Sequence, residues 1–395
     1  MTHLLHEIAN VGRAADGSYH RLAWDDATMT LRAWFARTAQ SRAMRLEEDG
    51  NGNQIAWLEC AGVVDAPALL LGSHLDSVPG GGAFDGPLGI TSAFAALDRL
   101  RERGAPLTRP VGVANFADEE GGRFGVACLG SRLATGSLPP SAARELTDDD
   151  GATLAQILQS RGLDPQAMGP AAWVPRVAMF VELHIEQGRY LVDADAPVGV
   201  ASAIWPHARH RIEFLGEGNH AGTTPISVRH DPMIPLAALV ISARDAAAEA
   251  EARATVGKVS VSPGSANAIA SRVEAWLDVR APDDATLSAM ADRIVAQVTG
   301  SSEAEGVEVC VVRESSTAAV VFDETLRDRM ANLLDAPVIP TAAGHDAGVL
   351  AAHVPTGMLF VRNPTGVSHA PGEWASDADI EAGVDALVRV IKELT

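Results

Sequence analysis

Residues 69–89, LLLGSHLDSVPGGGAFDGPLG, combine an apolar run with His74 and Asp76 at its end and with Asp85 eleven residues beyond His74, across a Gly-rich turn. Imidazole and carboxylate suit a borderline cation such as zinc, and an aspartate two residues from a histidine can orient the imidazole. A second apolar run, 111–116, ends in Asp118-Glu119-Glu120-Gly121-Gly122. Three adjacent acids repel one another unless a cation sits among them, although such a run alone also suits a solvated turn. A third run, 177–183, ends in His184-Ile185-Glu186-Gln187-Gly188, and a fourth, 359–361, leads through Asn363 to Ser368-His369. Four strand-like runs thus each end in groups that can hold a metal or move a proton. A lone histidine at a strand end is often structural, so the recurrence carries the argument.

Positioning these groups requires a sheet whose strand ends converge. Helical spacing over 90–103 follows the turn at Asp85, so strands alternate with helices in an α/β arrangement with functional groups beyond the carboxyl ends. From Ile204 the texture changes. Strands are expected at 211–215, 258–262, 272–279 and 307–313, with an Ala-rich helix over 235–254 and another helix over 283–299. That order, strand, helix, strand, strand, helix, strand, is ferredoxin-like α+β. The expected architecture is a catalytic domain over 1–203 and 318–395, with a mixed, mainly parallel sheet flanked by helices, and an inserted domain over 204–317.

With 395 residues, 47% of them hydrophobic, the chain is long enough for two cores. Its net charge is −20 and it has no basic stripe, which disfavours nucleic acid and anionic membranes as partners. No run approaches the length of a membrane span, and the first residues lack the apolar core of a secretory signal, so a cytoplasmic location is expected. Cys60, Cys128 and Cys310 are far apart and are expected to be buried free thiols. Gly216-x-Gly218-x-x-Ala221 imitates a dinucleotide fingerprint, but Pro225, Pro232 and Pro235 oppose the helix that should open there. No G-x-S-x-G nucleophile motif is present.

The strings around His74 and Asp85, the Glu119-Glu120 pair, HIEQG at His184 and SHAPGE at His369 resemble the di-zinc aminoacylase and exopeptidase family. More narrowly, the chain is similar to the amidohydrolase branch, which holds N-carbamoyl-L-amino-acid hydrolases, β-ureidopropionases and allantoate amidohydrolases. The resemblance implies that His74, Asp85 and His184 bind one metal, and that Asp85, Glu120 and His369 bind the other, with Asp85 bridging. It implies Glu119 as general base and Asp76 as the residue orienting His74. The implied cofactors are two divalent ions per subunit, zinc first, with manganese, cobalt or nickel acceptable to the same ligands.

From the inserted domain, the resemblance implies a dimerisation or lid role, with His220 of GNHAGTTP acting across a homodimer interface to stabilise an oxyanion. Asn267 and Arg280 would hold the substrate carboxylate, Arg280 as a planar fork, and Gln187 and His345 would make further substrate contacts. The chain departs from many relatives before His345, where Ala343 replaces a glycine. The implied reaction is cleavage of the carbamoyl C–N bond of a small anionic N-carbamoyl carboxylate, most directly an N-carbamoyl-L-amino acid. Allantoate hydrolysis is the alternative within the branch, and an N-acyl deacylase or dipeptidase the alternative beyond it. A silent binding protein on the same fold is the non-enzymatic alternative, and it would be expected to have lost a ligand or the free base.

Overall fold

The computed structural model describes residues 2–60 and 66–395. The chain divides into two compact units, one running to Ser202 and resuming at Val321, the other spanning Ala203–Val320. In chain order, the first unit begins with β1 (Arg45–Glu48), β2 (Gln54–Leu58), β3 (Ala68–His74), β4 (Val111–Phe116), β5 (Val177–Ile185) and β6 (Val198–Ile204). Then come β7 (His207–Leu215), β8 (Asn219–His220), β9 (Arg253–Ser262), β10 (Ala268–Ile269), β11 (Arg272–Arg280) and β12 (Glu308–Thr317). The return brings β13 (Val320–Val321), β14 (Val338–Thr341) and β15 (Thr356–Val361). The principal helices are α1 (Pro87–Glu102), α2 (Met233–Glu249), α3 (Asp284–Ala304) and α4 (Asp377–Leu394).

The first unit is built on a mixed sheet in the order β1-β2-β4-β3-β5-β15-β6-β13, with β14 also on β6. The pairs β3/β4, β3/β5 and β5/β15 are parallel, whereas β1/β2, β2/β4 and β15/β6 are antiparallel. Every residue of β3, β4 and β15 is buried, which explains their nearly unbroken apolar sequences: strands covered on both faces do not alternate. Because these four strands run parallel, the residues that follow β3, β4, β5 and β15 all emerge at one edge of the sheet.

Helix α1 opens with Pro87 in its first turn, where the missing N–H costs nothing. It sinks Leu88, Ile90, Phe94 and Leu97 into the core shared with Ile380, Val384, Leu387 and Ile391 of α4. The α4 start is capped by Ser376, whose hydroxyl accepts the Asp379 N–H. Truncating a fully buried aromatic such as Phe94 to Ala would cost about 3–5 kcal/mol.

The second unit is a four-stranded antiparallel sheet in the order β12-β7-β11-β9. Its core joins Ile212, Phe214, Val273, Ala275, Leu277 and Val279 of the strands to Leu236, Leu239 and Ala243 of α2 and Met290, Ile294 and Val298 of α3. This is the ferredoxin-like pattern, with helix patterning that places both helices on the same sheet face.

Two expectations are corrected. The Ala-rich run does not stay helical to residue 254: α2 ends at Glu249, Glu251 turns with φ +50°, and β9 begins at Arg253. The alanines carry no stop signal, and the strand start is set by non-local pairing of Arg253 with Arg280. Nor are the cysteines uniformly buried. Cys128 is buried and Cys60 intermediate, whereas Cys310 is exposed, because strand alternation turns it to the outer face of β12.

Candidate metal centre

The first unit gathers His74, Asp76, Asp85, Glu119, Glu120, His184, Gln187, His345 and His369 at the carboxyl edge of its sheet. His74 is the last residue of β3 and His184 the penultimate residue of β5, and both are fully buried. Each imidazole is oriented through Nδ1, which lies 3.1 Å from the Asp76 carbonyl oxygen in His74 and 2.9 Å from that of Ile185 in His184. With Nδ1–H donated to a carbonyl, Nε2 presents its lone pair inward. The two Nε2 atoms lie 3.3 and 3.1 Å from Asp85 Oδ1.

Asp85 Oδ2 faces the other way, 3.5 Å from His369 Nε2, which is itself 3.4 Å from Glu120 Oε2. Donor atoms of His74, Asp85 and His184 form one group able to hold a cation, and those of Asp85, Glu120 and His369 form another. Asp85 belongs to both and gives one oxygen to each. Gly86 makes this approach possible: at φ +82° it avoids the strain a side chain would meet, and a Cβ there would lie 2.6 Å from the His74 ring. Asp118 and His369 also hold left-handed φ values, +54° and +56°, the kind of backbone strain that collects at functional sites.

Glu119 contributes to neither group. It is 5% exposed, its Oε2 lies 3.8 Å from His74 Nε2, and its Oε1 accepts a hydrogen bond from the Cys128 thiol at 3.4 Å. The Asp76 carboxylate is 3.5 Å from His74 Nδ1, farther than the Asp76 carbonyl, and it accepts the backbone N–H groups of Glu119 and Glu120 at 3.2 and 3.1 Å. Asp76 therefore ties the loop after β3 to the acid pair after β4. Gln187 donates to Asp85 Oδ2 at 2.7 Å, and His345 is buried with its ring 4.5 Å from that of His184.

The electrostatics are those of a site built for positive charge. Burial drives the Glu119 carboxyl well above its usual range, and Asp346, Glu120 and Asp76 push it further. Burial and then Asp85 lift Glu120 to about 7. For Asp85, burial is outweighed by His184, His369 and His74, which hold it well below the normal aspartate value. Burial opposes charge on His184, but Asp85 raises it to about 9. Burial and neighbouring His184 depress His345 well below an ordinary histidine. The Nε2 atoms of His74 and His184 are buried without a hydrogen-bond partner among the described residues. Imidazole nitrogens converging on one shared aspartate, with crowded carboxylates around it, fit a pair of divalent cations, of which zinc, manganese or cobalt suit mixed N and O donors.

Three further participants were not singled out from the sequence. Glu182 accepts Ser73 Oγ at 2.9 Å and the Ala347 N–H at 3.0 Å, and with His184 and His345 it forms a third cation-capable group. It stands two residues before His184 on β5, so strand alternation was the available signal. Glu373 closes the SHAPGE string, but its partners, the amides of Phe84 and Asp85, lie nearly three hundred positions away, and no local pattern marks the contact of Cys128 with Glu119 nine residues before it.

His220, Asn267 and Arg280 belong to the second unit. His220 pairs with Ala268 in the β8–β10 ribbon, and its Nδ1 accepts the N–H groups of Gly222 and Thr223. The carbonyl of Asn267 accepts the Ala221 N–H at 3.0 Å. Arg280 ends β11 and forms an ion pair with Asp278 at 2.9 Å.

Comparison with known proteins agrees with this geometry. Residues 70–393 match the model of peptidase family M20/M25/M40. The N-carbamoyl-L-amino acid amidohydrolase of Geobacillus stearothermophilus is 35% identical over 397 residues, covering 99% of this chain and 97% of that protein. The allantoate amidohydrolase of Bacillus subtilis is 30% identical over 402 residues, covering 100% and 97%. A crystal structure of an amidase of the hydantoinase/carbamoylase family from Burkholderia multivorans superposes with TM-score 0.89 at 30% identity, covering 98% of this chain and 95% of that one. A shared aspartate between two donor groups, on a fold and sequence matched from end to end, makes this chain a member of peptidase family M20/M25/M40, in its hydantoinase/carbamoylase branch.

Proposed function

We propose that the protein is a binuclear metal-dependent amidohydrolase that cleaves the carbamoyl C–N bond of small N-carbamoyl carboxylates, N-carbamoyl-L-amino acids foremost, releasing ammonia, carbon dioxide and the amino acid. The observation carrying the hydrolase reading is the division of Asp85 between two donor groups with Glu119 left outside both. The substrate class is supported by similarity to N-carbamoyl-L-amino acid amidohydrolases along nearly the whole chain.

His74, Asp85 and His184 would hold one cation and Asp85, Glu120 and His369 the other, and the pair would supply Lewis acidity toward water and the carbonyl oxygen. Burial and the neighbouring acids, opposed in part by His74, favour the neutral form of the Glu119 carboxyl. Bound cations would favour its ionised form, and its Oε2, which lies outside both donor groups, would then take a proton from the attacking water and return it to the leaving nitrogen. Asp76 keeps the Glu119 backbone in place, and Cys128 orients the far oxygen of its carboxylate. Arg280 and Asn267 would bind the substrate carboxylate, and His220 would stabilise the developing oxyanion from a partner subunit.

A homodimer is supported by the second unit's apolar exterior. Met233, Ile234, Val240 and Ile241 of α2 and Val259 of β9 are exposed, and β9 is an edge strand.

The test is kcat/KM for ammonia release from N-carbamoyl-L-amino acids, N-carbamoyl-β-alanine and allantoate, and for release of the free amino acid from N-carbamoyl and N-acetyl forms of the same amino acid. The highest kcat/KM is expected for an N-carbamoyl-L-amino acid. Equal kcat/KM for N-acetyl and N-carbamoyl forms of one amino acid would identify a general deacylase, and a clear preference for allantoate would move the assignment within the branch.

A further inference from the structure

The loop that presents Asp85 is gripped by a residue outside both donor groups. Glu373 is 3% exposed, and its Oε1 accepts the backbone N–H of Phe84 at 2.8 Å and of Asp85 at 2.9 Å. The loop is moulded onto this carboxylate so closely that a Cβ on Gly82 would lie 2.3 Å from Oε1. Glu373 lies four residues after His369, in a turn closed by its own N–H to the Ala370 carbonyl and by Thr365 Oγ1 to the Gly372 carbonyl. One side chain thus joins the segment bearing Asp85 to the segment bearing His369. Burying a carboxylate among other acids costs stability, and an apolar side chain would fill the same space without that cost. The two hydrogen bonds to the amides of residues 84 and 85 are what this side chain's oxygen adds.

We propose that Glu373 is a positioning residue of the metal centre: by holding the Phe84 and Asp85 amides it sets the angle at which Asp85 divides its oxygens between the two donor groups. The proposal rests on the two-cation reading. Its consequence is specific, because a rotated Asp85 can still serve one group but not both.

The experiment is titration of chelator-stripped full-length protein with Co²⁺, followed by visible absorption and by competition with a chromophoric chelator, on wild type, Glu373→Ala, Glu373→Asp and Glu373→Gln. Circular dichroism melts establish which variants fold, and the shorter Asp variant carries the test if the Ala variant does not. Wild type is expected to bind two ions. Gln retains an oxygen for both amides and should match wild type in stoichiometry and spectrum. Ala, and Asp whose oxygens fall one methylene short, should bind at least one ion about ten- to a hundred-fold more weakly, with a shifted cobalt spectrum. Two ions bound by Ala and Asp with wild-type affinity and spectrum would overturn the proposal. So would a Gln variant weakened as much as Ala, since charge and not grip would then be responsible. A single ion in wild type would instead overturn the two-cation reading itself.

Discussion

Replacing Glu119 with Gln removes a proton acceptor while leaving the shape of the site intact. The amide oxygen can still accept the Cys128 thiol, and the amide nitrogen can turn toward the acids around His74, so neither end of the side chain is stranded. Since Glu119 is in neither donor group, metal content should stay at two ions. Loss of a general base costs on the order of a hundred- to ten-thousand-fold in kcat, about 2.7–5.4 kcal/mol of barrier at 1.36 kcal/mol per decade. The effect on the metal-free protein should have the opposite sign. Burial raises the Glu119 pKa, so its ionised form opposes folding, and the stability it supplies as a neutral acid is lost as pH rises above the usual glutamate value. A neutral amide escapes that loss, and chelated Glu119→Gln should melt at or above wild type at pH 8. Ammonia release, elemental analysis and thermal melts read the three quantities. A variant that keeps a tenth of the wild-type rate, or that loses metal, would refute the role given to Glu119.

Chelated wild-type protein should lose thermal stability from about pH 6.5 to 9, above the range in which neutral His345 adds stability with rising pH. Glu120, raised to about 7, and His184, raised to about 9, both favour the protonated folded form, and that preference disappears as pH climbs through those values; zinc should therefore raise the melting temperature more at pH 8 than at pH 5. Asp85→Ala should lower occupancy at both cation positions, whereas His369→Ala should spare one, as elemental analysis would read; full metal content in Asp85→Ala would contradict the bridging role. Arg280→Lys should raise KM for a substrate carboxylate with little change in kcat, with tens- to thousands-fold lost in kcat/KM, because a buried anion without its planar fork costs about 2–5 kcal/mol. Mixing His220→Ala with Glu119→Gln subunits should restore part of the activity if His220 serves a partner's site, and verified heterodimers without recovery would place it in its own.

Much of the candidate centre was legible because each component is announced locally. A buried parallel strand is a short apolar run, and the residues just beyond it lie at the sheet's carboxyl edge, so His74, the Glu119-Glu120 pair, His184 and His369 could be named from position and type alone. The ferredoxin-like order of the second unit followed from the same periodicities, while the end of α2 did not, since the start of β9 depends on pairing with β11. Tertiary structure alone decided how these pieces meet: that Asp85 faces two histidines with one oxygen and a third with the other, that Gly86 is glycine because the His74 ring fills the space of a Cβ, that Cys128 turns its thiol to Glu119, and that Asp76 and Glu373 hold the Glu119 and Asp85 segments through backbone amides distant in sequence. The physical reason is range. Strand and helix patterns are written in neighbours two to four residues apart, whereas hydrogen bonds such as those of Glu373 link residues nearly three hundred positions apart and depend on the packed fold.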